Sequence, residues 1–169
     1  MAASFAIRGP FKIPLDRSVR AKAIKVGCPE FWQHKDTGSL ASECGCYVFC
    51  RRAGGGITPV YVGKATRTFK QECFAPQKIA QHYQPALLNW GKGRPVMFLV
   101  VLQQKKGPVN AKAIKKVELF LIQNATKKNP HLSNIKGIKK QTWSIKGVIR
   151  AGKGEATKAS QSFKAALGL

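Results

Sequence analysis

Eight consecutive apolar residues, Pro95-Val-Met-Phe-Leu-Val-Val-Leu102, stand between Arg94 and Gln103. The run is far short of the ~20 residues that span a bilayer, and it is short enough to be a buried strand. The sequence supplies its neighbours. Gly45-Cys-Tyr-Val-Phe-Cys50 is a strand by alternation and β-propensity. Arg51–Pro59 is a turn by its glycines and proline, and Pro59-Val-Tyr-Val-Gly63 is a second strand. Residues 45–63 therefore read as a β-hairpin. Thr66 to about Asn89 reads as mostly helical, broken at Ala75-Pro76. Asn110 caps a helix through Ala111–Thr126, which Asn129-Pro130 stops.

Residues 1–43 read as irregular, broken by Gly9-Pro10, Pro14 and Gly27-Cys28-Pro29. Within them Arg17–Lys22 is expected to form a short helix, and Phe31-Trp32 a hydrophobic clasp onto the core. Beyond the long helix come an expected strand, Thr142–Ile149, and a short basic helix within 154–169 with Phe163, Ala166 and Leu167 on one side. The order is β-β-α-β-α with additions at both ends. It predicts an α+β fold: a small mixed or antiparallel sheet flanked by helices. The expected division is an N-terminal extension (1–43) packed on the core, a central domain (44–135), and a C-terminal strand and basic helix (136–169).

Charge narrows the function. Thirty Lys and Arg against seven Asp and Glu give a net charge of +23. That excess points to a polyanionic partner, nucleic acid before an anionic membrane surface. The carboxylates Asp16, Glu30, Asp36, Glu43, Glu72, Glu118 and Glu155 are thinly spread. A two-metal nuclease with a carboxylate cluster is hard to build from them. The opening residues lack a signal-peptide pattern, so the odd set Cys28, Cys44, Cys46, Cys50 and Cys73 reads as reduced thiols of an intracellular, cytoplasmic protein. A nucleoid association remains open. Cys44, Cys46 and Cys50 lack paired zinc-ligand spacing; their even offsets place them on one face of a strand, as buried small apolar residues.

Glu118 is the most informative single residue. On a helix at about 100° per residue it falls inside the apolar arc of Ile114, Val117, Leu121 and Ile122. A carboxylate there needs a cation or hydrogen-bond donors. It is either a structural salt bridge or a single-carboxylate Mg²⁺ or Mn²⁺ site completed by water and phosphate oxygens. Tyr47 and Tyr61 form a second constellation, one in each hairpin strand. Gly45 lies two residues before the first and Gly63 two after the second. Such glycines let a substrate backbone come close, although paired tyrosines in adjacent strands are usually cross-strand packing.

Gly45-Cys46-Tyr47 followed by Tyr61-Val62-Gly63 resembles the paired motifs of the GIY-YIG nucleases. Lys64 resembles the lysine of that family's DNA-repair branch, Glu118 its metal-binding glutamate, and Asn134 the asparagine after that helix. The resemblance spans about 45–134. It implies single-metal hydrolysis of phosphodiester bonds in DNA. Glu118 then holds Mg²⁺ or Mn²⁺, and Tyr47 or Tyr61 handles the attacking water with help from Lys64. The family's helical arginine is missing. Lys78, with His82 one turn later, is its nearest match, and Arg67 is the other candidate. Lysine is a point charge without the guanidinium fork. His82 is expected to orient water or protonate the leaving group, and Asn134 to support the site.

Basic clusters at Lys105-Lys106, Lys112-Lys115-Lys116, Lys127-Lys128, Lys136-Lys139-Lys140 and Lys153-Lys158-Lys164 suit salt-sensitive, sequence-independent phosphate contact. Trp143 is a core residue or a stacking platform for a base. Two competitors stand beside the nuclease. One is a catalytically inactive nucleic-acid-binding module on the same scaffold; the other is a basic structural protein of a ribonucleoprotein particle. Glu118 separates them: a nuclease needs it beside Tyr47 and Tyr61, and if it is buried in a salt bridge away from them the nuclease fails on geometry.

Overall fold

The computed structural model describes residues 3–104, 107–134, 143–149 and 156–169. The expected boundary at 135/136, the clusters at Lys105-Lys106 and Lys136-Lys139-Lys140, and Lys153 and Glu155 lie outside them. The fold is α+β around a mixed five-stranded sheet. Its strands are β1 (Ala3–Lys12), β2 (Gly45–Ala53), β3 (Gly56–Ala65), β4 (Arg94–Leu102) and β5 (Trp143–Ile145). The order across the sheet is β3-β2-β4-β1-β5. Among the described residues, β1 and β5 run parallel and the other strand pairs run antiparallel.

The apolar run of β4 is explained by its central place. Val96, Phe98, Val100 and Leu102 enter one core cluster, and Met97, Leu99 and Val101 enter another. Every second residue faces the opposite layer, so a strand covered on both faces needs apolar residues throughout. The first layer is α6 (Ala111–Lys128) with α7 (Lys158–Leu167), where Phe163 packs edge-on against Phe98 at 5.1 Å. The second layer is built from short pieces. They are α1 (Pro29–Gln33), α2 (Lys35–Gly38), α3 (Phe69–Glu72), α4 (Pro76–Lys78), a π-helical turn (Ile79–Tyr83) and α5 (Gln84–Asn89).

Asn110 caps α6 by accepting from the Ala113 amide, as its sequence position predicts. The exposed Lys112 and Lys115 lie outside its buried stripe. Cys46 and Cys50 are buried in the α6-side core and Cys44 packs against it, which matches the apolar reading of these thiols.

Three expectations are corrected. Residues 3–12 are not irregular; they form β1, which joins the sheet beside β4. Gly9-Pro10 interrupts the pairing register between Arg8 and Phe11 without ending the strand, because a bulge absorbs residues that cannot keep the ladder. Arg17–Lys22 is turn and bend, not helix. Asp16 accepts from the Ser18 amide and hydroxyl, a local bond that competes with helix. The strand expected over Thr142–Ile149 is limited to Trp143–Ile145 among the described residues and then turns. Phe31 and Trp32 are buried against Phe74, so the clasp is real.

Candidate functional site

β3 is the outermost strand on its side of the sheet, and the residues singled out in the sequence gather around it. Tyr61 is the hub on one face. His82 stacks on its ring at 4.1 Å between centroids, and the Lys78 ammonium lies 5.5 Å from the ring centroid. Tyr47 is tilted against it at 6.2 Å. Lys78 and His82 reach the same ring because they are one turn apart on a continuous helical path through α4 and the π-helical turn. Partial burial first, and the Lys78 charge second, hold the His82 imidazole below the usual histidine value.

On the other face, Lys64 donates to Glu118 Oε2 at 2.8 Å. The Glu118 side chain is 13% exposed and that of Lys64 is 41% exposed. Burial works to lower the Lys64 ammonium, but its hydrogen bond and attraction to Glu118 outweigh that and hold it above the usual lysine value. The sheet itself separates this pair from the tyrosines, so Glu118 is held in a salt bridge away from Tyr47 and Tyr61, the arrangement expected of a binding module rather than of a nuclease. Tyr47 and Tyr61 belong to the core cluster on the α1–α5 side, whereas Val62 belongs to the α6 side. Lys64 reaches α6 from that same face, as the alternation of strand side chains requires.

Tyr47 is fully buried. Its hydroxyl donates to the Glu72 carbonyl at 3.4 Å, and burial raises its phenol far above the usual range. A phenol so placed is a poor proton acceptor at neutral pH. The glycines serve packing here. Tyr47 stands opposite Gly63 in the β2–β3 register, and a β-carbon at Gly63 would overlap the Tyr47 ring. Gly45 has a positive φ of 148°, and a β-carbon there would run into the Val100 carbonyl. Both glycines thus make room for the chain's own atoms.

Asn134 spans the β3 edge. Its Nδ2 donates to the Val62 carbonyl at 2.7 Å, and its Oδ1 accepts from the Val62 amide at 3.5 Å. Asn129, which the sequence marks only as a helix stop, donates to the Pro59 carbonyl at 2.8 Å, and Ser133 donates its amide to Val60. Together they cover part of an edge otherwise open to strand pairing. Arg67 is exposed between β3 and α3.

Tyr83 has no role in the sequence reading, yet it is central. It is fully buried, stacks on Phe49 at 4.1 Å and donates to the Cys73 carbonyl at 2.8 Å. Its apolar neighbours in sequence, Ile79 and Leu87, were the available signal. Among the described residues, no three His, Cys, Asp or Glu side chains group as a metal site. Glu118 offers one carboxylate. That suits only a hard ion that keeps most of its shell as water and phosphate oxygens.

Among the described residues, no helix is long and apolar enough to cross a membrane. No family model matches the chain, and no curated protein or solved structure matches it either.

Proposed function

We propose that this chain is a metal-dependent endonuclease of the GIY-YIG type that hydrolyses phosphodiester bonds in DNA. One observation carries the reading. Residues from five separate stretches meet at β3: Tyr47, Tyr61, Lys78 and His82 on one face, Lys64 and Glu118 on the other, and Asn134 along the edge between them. Core packing alone does not require the basic and acidic members of that set.

Glu118 is the residue to hold Mg²⁺ or Mn²⁺; when bound, the ion stabilises charge on the phosphate and leaving oxygen. Lys64, the more exposed partner of the salt bridge, is free to turn toward a substrate phosphate. Tyr61, on the opposite face of β3 from Glu118, would position the attacking water only for a phosphate seated around the outer edge of that strand. His82, whose imidazole is held below the usual histidine value by partial burial and then by the Lys78 charge, accepts the proton. Lys78, and Arg67 from the adjoining turn, meet the phosphate charge. Tyr47 has a packing role, and Asn134 keeps β3 in register.

The Lys64–Glu118 bond, its place across the sheet from Tyr47 and Tyr61, and the lysine at position 78 favour a second reading, the inactive binding module. In it, Lys64 stands permanently where the metal would be. A plasmid-nicking assay with Mg²⁺, Mn²⁺ or EDTA, on wild type and Glu118→Gln, decides between them when run beside a gel shift. The nuclease reading expects metal-dependent cleavage in the wild type, lost in the variant with DNA binding retained. Binding without cleavage by the wild type on duplex, single-stranded and RNA substrates selects the module.

A further inference from the structure

A separate cavity of about 500 Å³ lies at the opposite end of the β2–β3 hairpin from Lys64. Its lining includes Arg52 on β2, Gly55, Gly56 and Thr58 at the hairpin tip, Lys128 at the end of α6, and Ser162 on α7. The lining holds two cationic residues and, among the described residues, no carboxylate. Lys128 has a structural reason to be there, because a cation at a helix C-terminus is favoured by the helix dipole. Arg52 has no such reason. It stands directly opposite Arg94 in the β2–β4 register, and like charges in that position destabilise a sheet. An anion in the cavity offsets the Arg52 charge, although Arg94 itself does not line it.

We propose that this cavity binds a phosphodiester group of a nucleic-acid strand, a second anchor for the polymer engaged at the Lys64–Glu118 end. The inference rests on the nucleic-acid reading above. Thr58 and Lys64 are six positions apart on β3, about 20 Å at ~3.3 Å per residue. That matches about six base-pair steps of ~3.4 Å. A polymer reaches both ends at once, which a free phosphate cannot do.

The test is the salt dependence of binding to a short DNA duplex of about 14 base pairs. Wild type is compared with Arg52→Gln/Lys128→Gln and with a control, Arg20→Gln/Lys35→Gln, which removes two exposed cations elsewhere. Each lost phosphate contact removes about 0.9 from the slope of log K against log salt. The cavity variant should lose about 0.9 and the control much less, with unchanged thermal unfolding in both. Equal slopes for the two variants overturn the proposal. So does weaker sedimentation of the cavity variant with phosphatidylserine vesicles while its DNA slope is unchanged. Failure of the nuclease reading shows separately, as absent cleavage by a wild type that binds with the full slope.

Discussion

Replacing Gly63 with alanine isolates what the paired glycines are for. An added β-carbon would lie 2.7 Å from Tyr47 Cε2 and still closer to Cζ and the hydroxyl oxygen. The Tyr47 ring has no room to withdraw. It is fully buried, tethered to the Glu72 carbonyl and flanked by Tyr61. Overpacking a rigid core costs about 1–3 kcal/mol, and a trapped ring places this case at about 2–3. For a chain of this size each kcal/mol lowers Tm by about 2–4 °C, so a loss of about 4–12 °C is expected. Thermal unfolding by circular dichroism measures it. In a double-mutant cycle, Tyr47→Leu should relieve much of the Gly63→Ala defect, with a coupling above about 1 kcal/mol. If Gly63→Ala leaves Tm unchanged but weakens DNA binding, the glycine serves a substrate and the packing argument is refuted.

In NMR titration His82 should show a midpoint below 6.5, and Lys78→Gln should move it up only part of the way, because burial is the larger cause. The sign for stability follows: the unfolded chain takes up this proton more readily, so the His82 contribution is lost as pH falls from about 6.5 through the lowered value. Asn134→Ala leaves the Val62 carbonyl without its 2.7 Å partner and should destabilise the fold by about 1–3 kcal/mol, measured by urea unfolding. Lys78→Arg restores a guanidinium fork and should raise the rate of metal-dependent cleavage without tightening binding to the same degree; an unchanged rate argues against a phosphate role for position 78. The thiols of Cys28, Cys46, Cys50 and Cys73 are buried and raised by burial, that of Cys28 to about 11. They should resist alkylation at pH 8 until the protein is unfolded, with half-buried Cys44 reacting first.

The hairpin, the central strand and the α6 helix are legible because each rests on local patterning: alternation at Tyr47 and Tyr61, the unbroken run at 95–102, and the Asn110 cap. β1 is not, since Gly9-Pro10 breaks its pattern and only pairing with β4 keeps it extended. The convergence around β3 is legible as an ordered set of motifs, without their geometry. The division of that set between two sheet faces was also written in the chain. Tyr61 and Lys64 are three positions apart, an odd spacing that sends them to opposite faces of one strand. Whether Glu118 meets a cation from the protein or from solution was not legible. The partner Lys64 lies 54 residues away in sequence and finds Glu118 only through tertiary packing. The edge-covering bonds of Asn129 and Asn134 are likewise set by the return of the chain past β3.

The assignment of Glu118 is tested most directly by Mn²⁺ binding, followed by electron paramagnetic resonance on a phosphorothioate duplex that resists cleavage. The account predicts one protein-bound Mn²⁺ per chain in the wild type, lost in Glu118→Gln while duplex affinity is retained. Equal binding by both proteins, or no bound Mn²⁺ in the wild type, contradicts it.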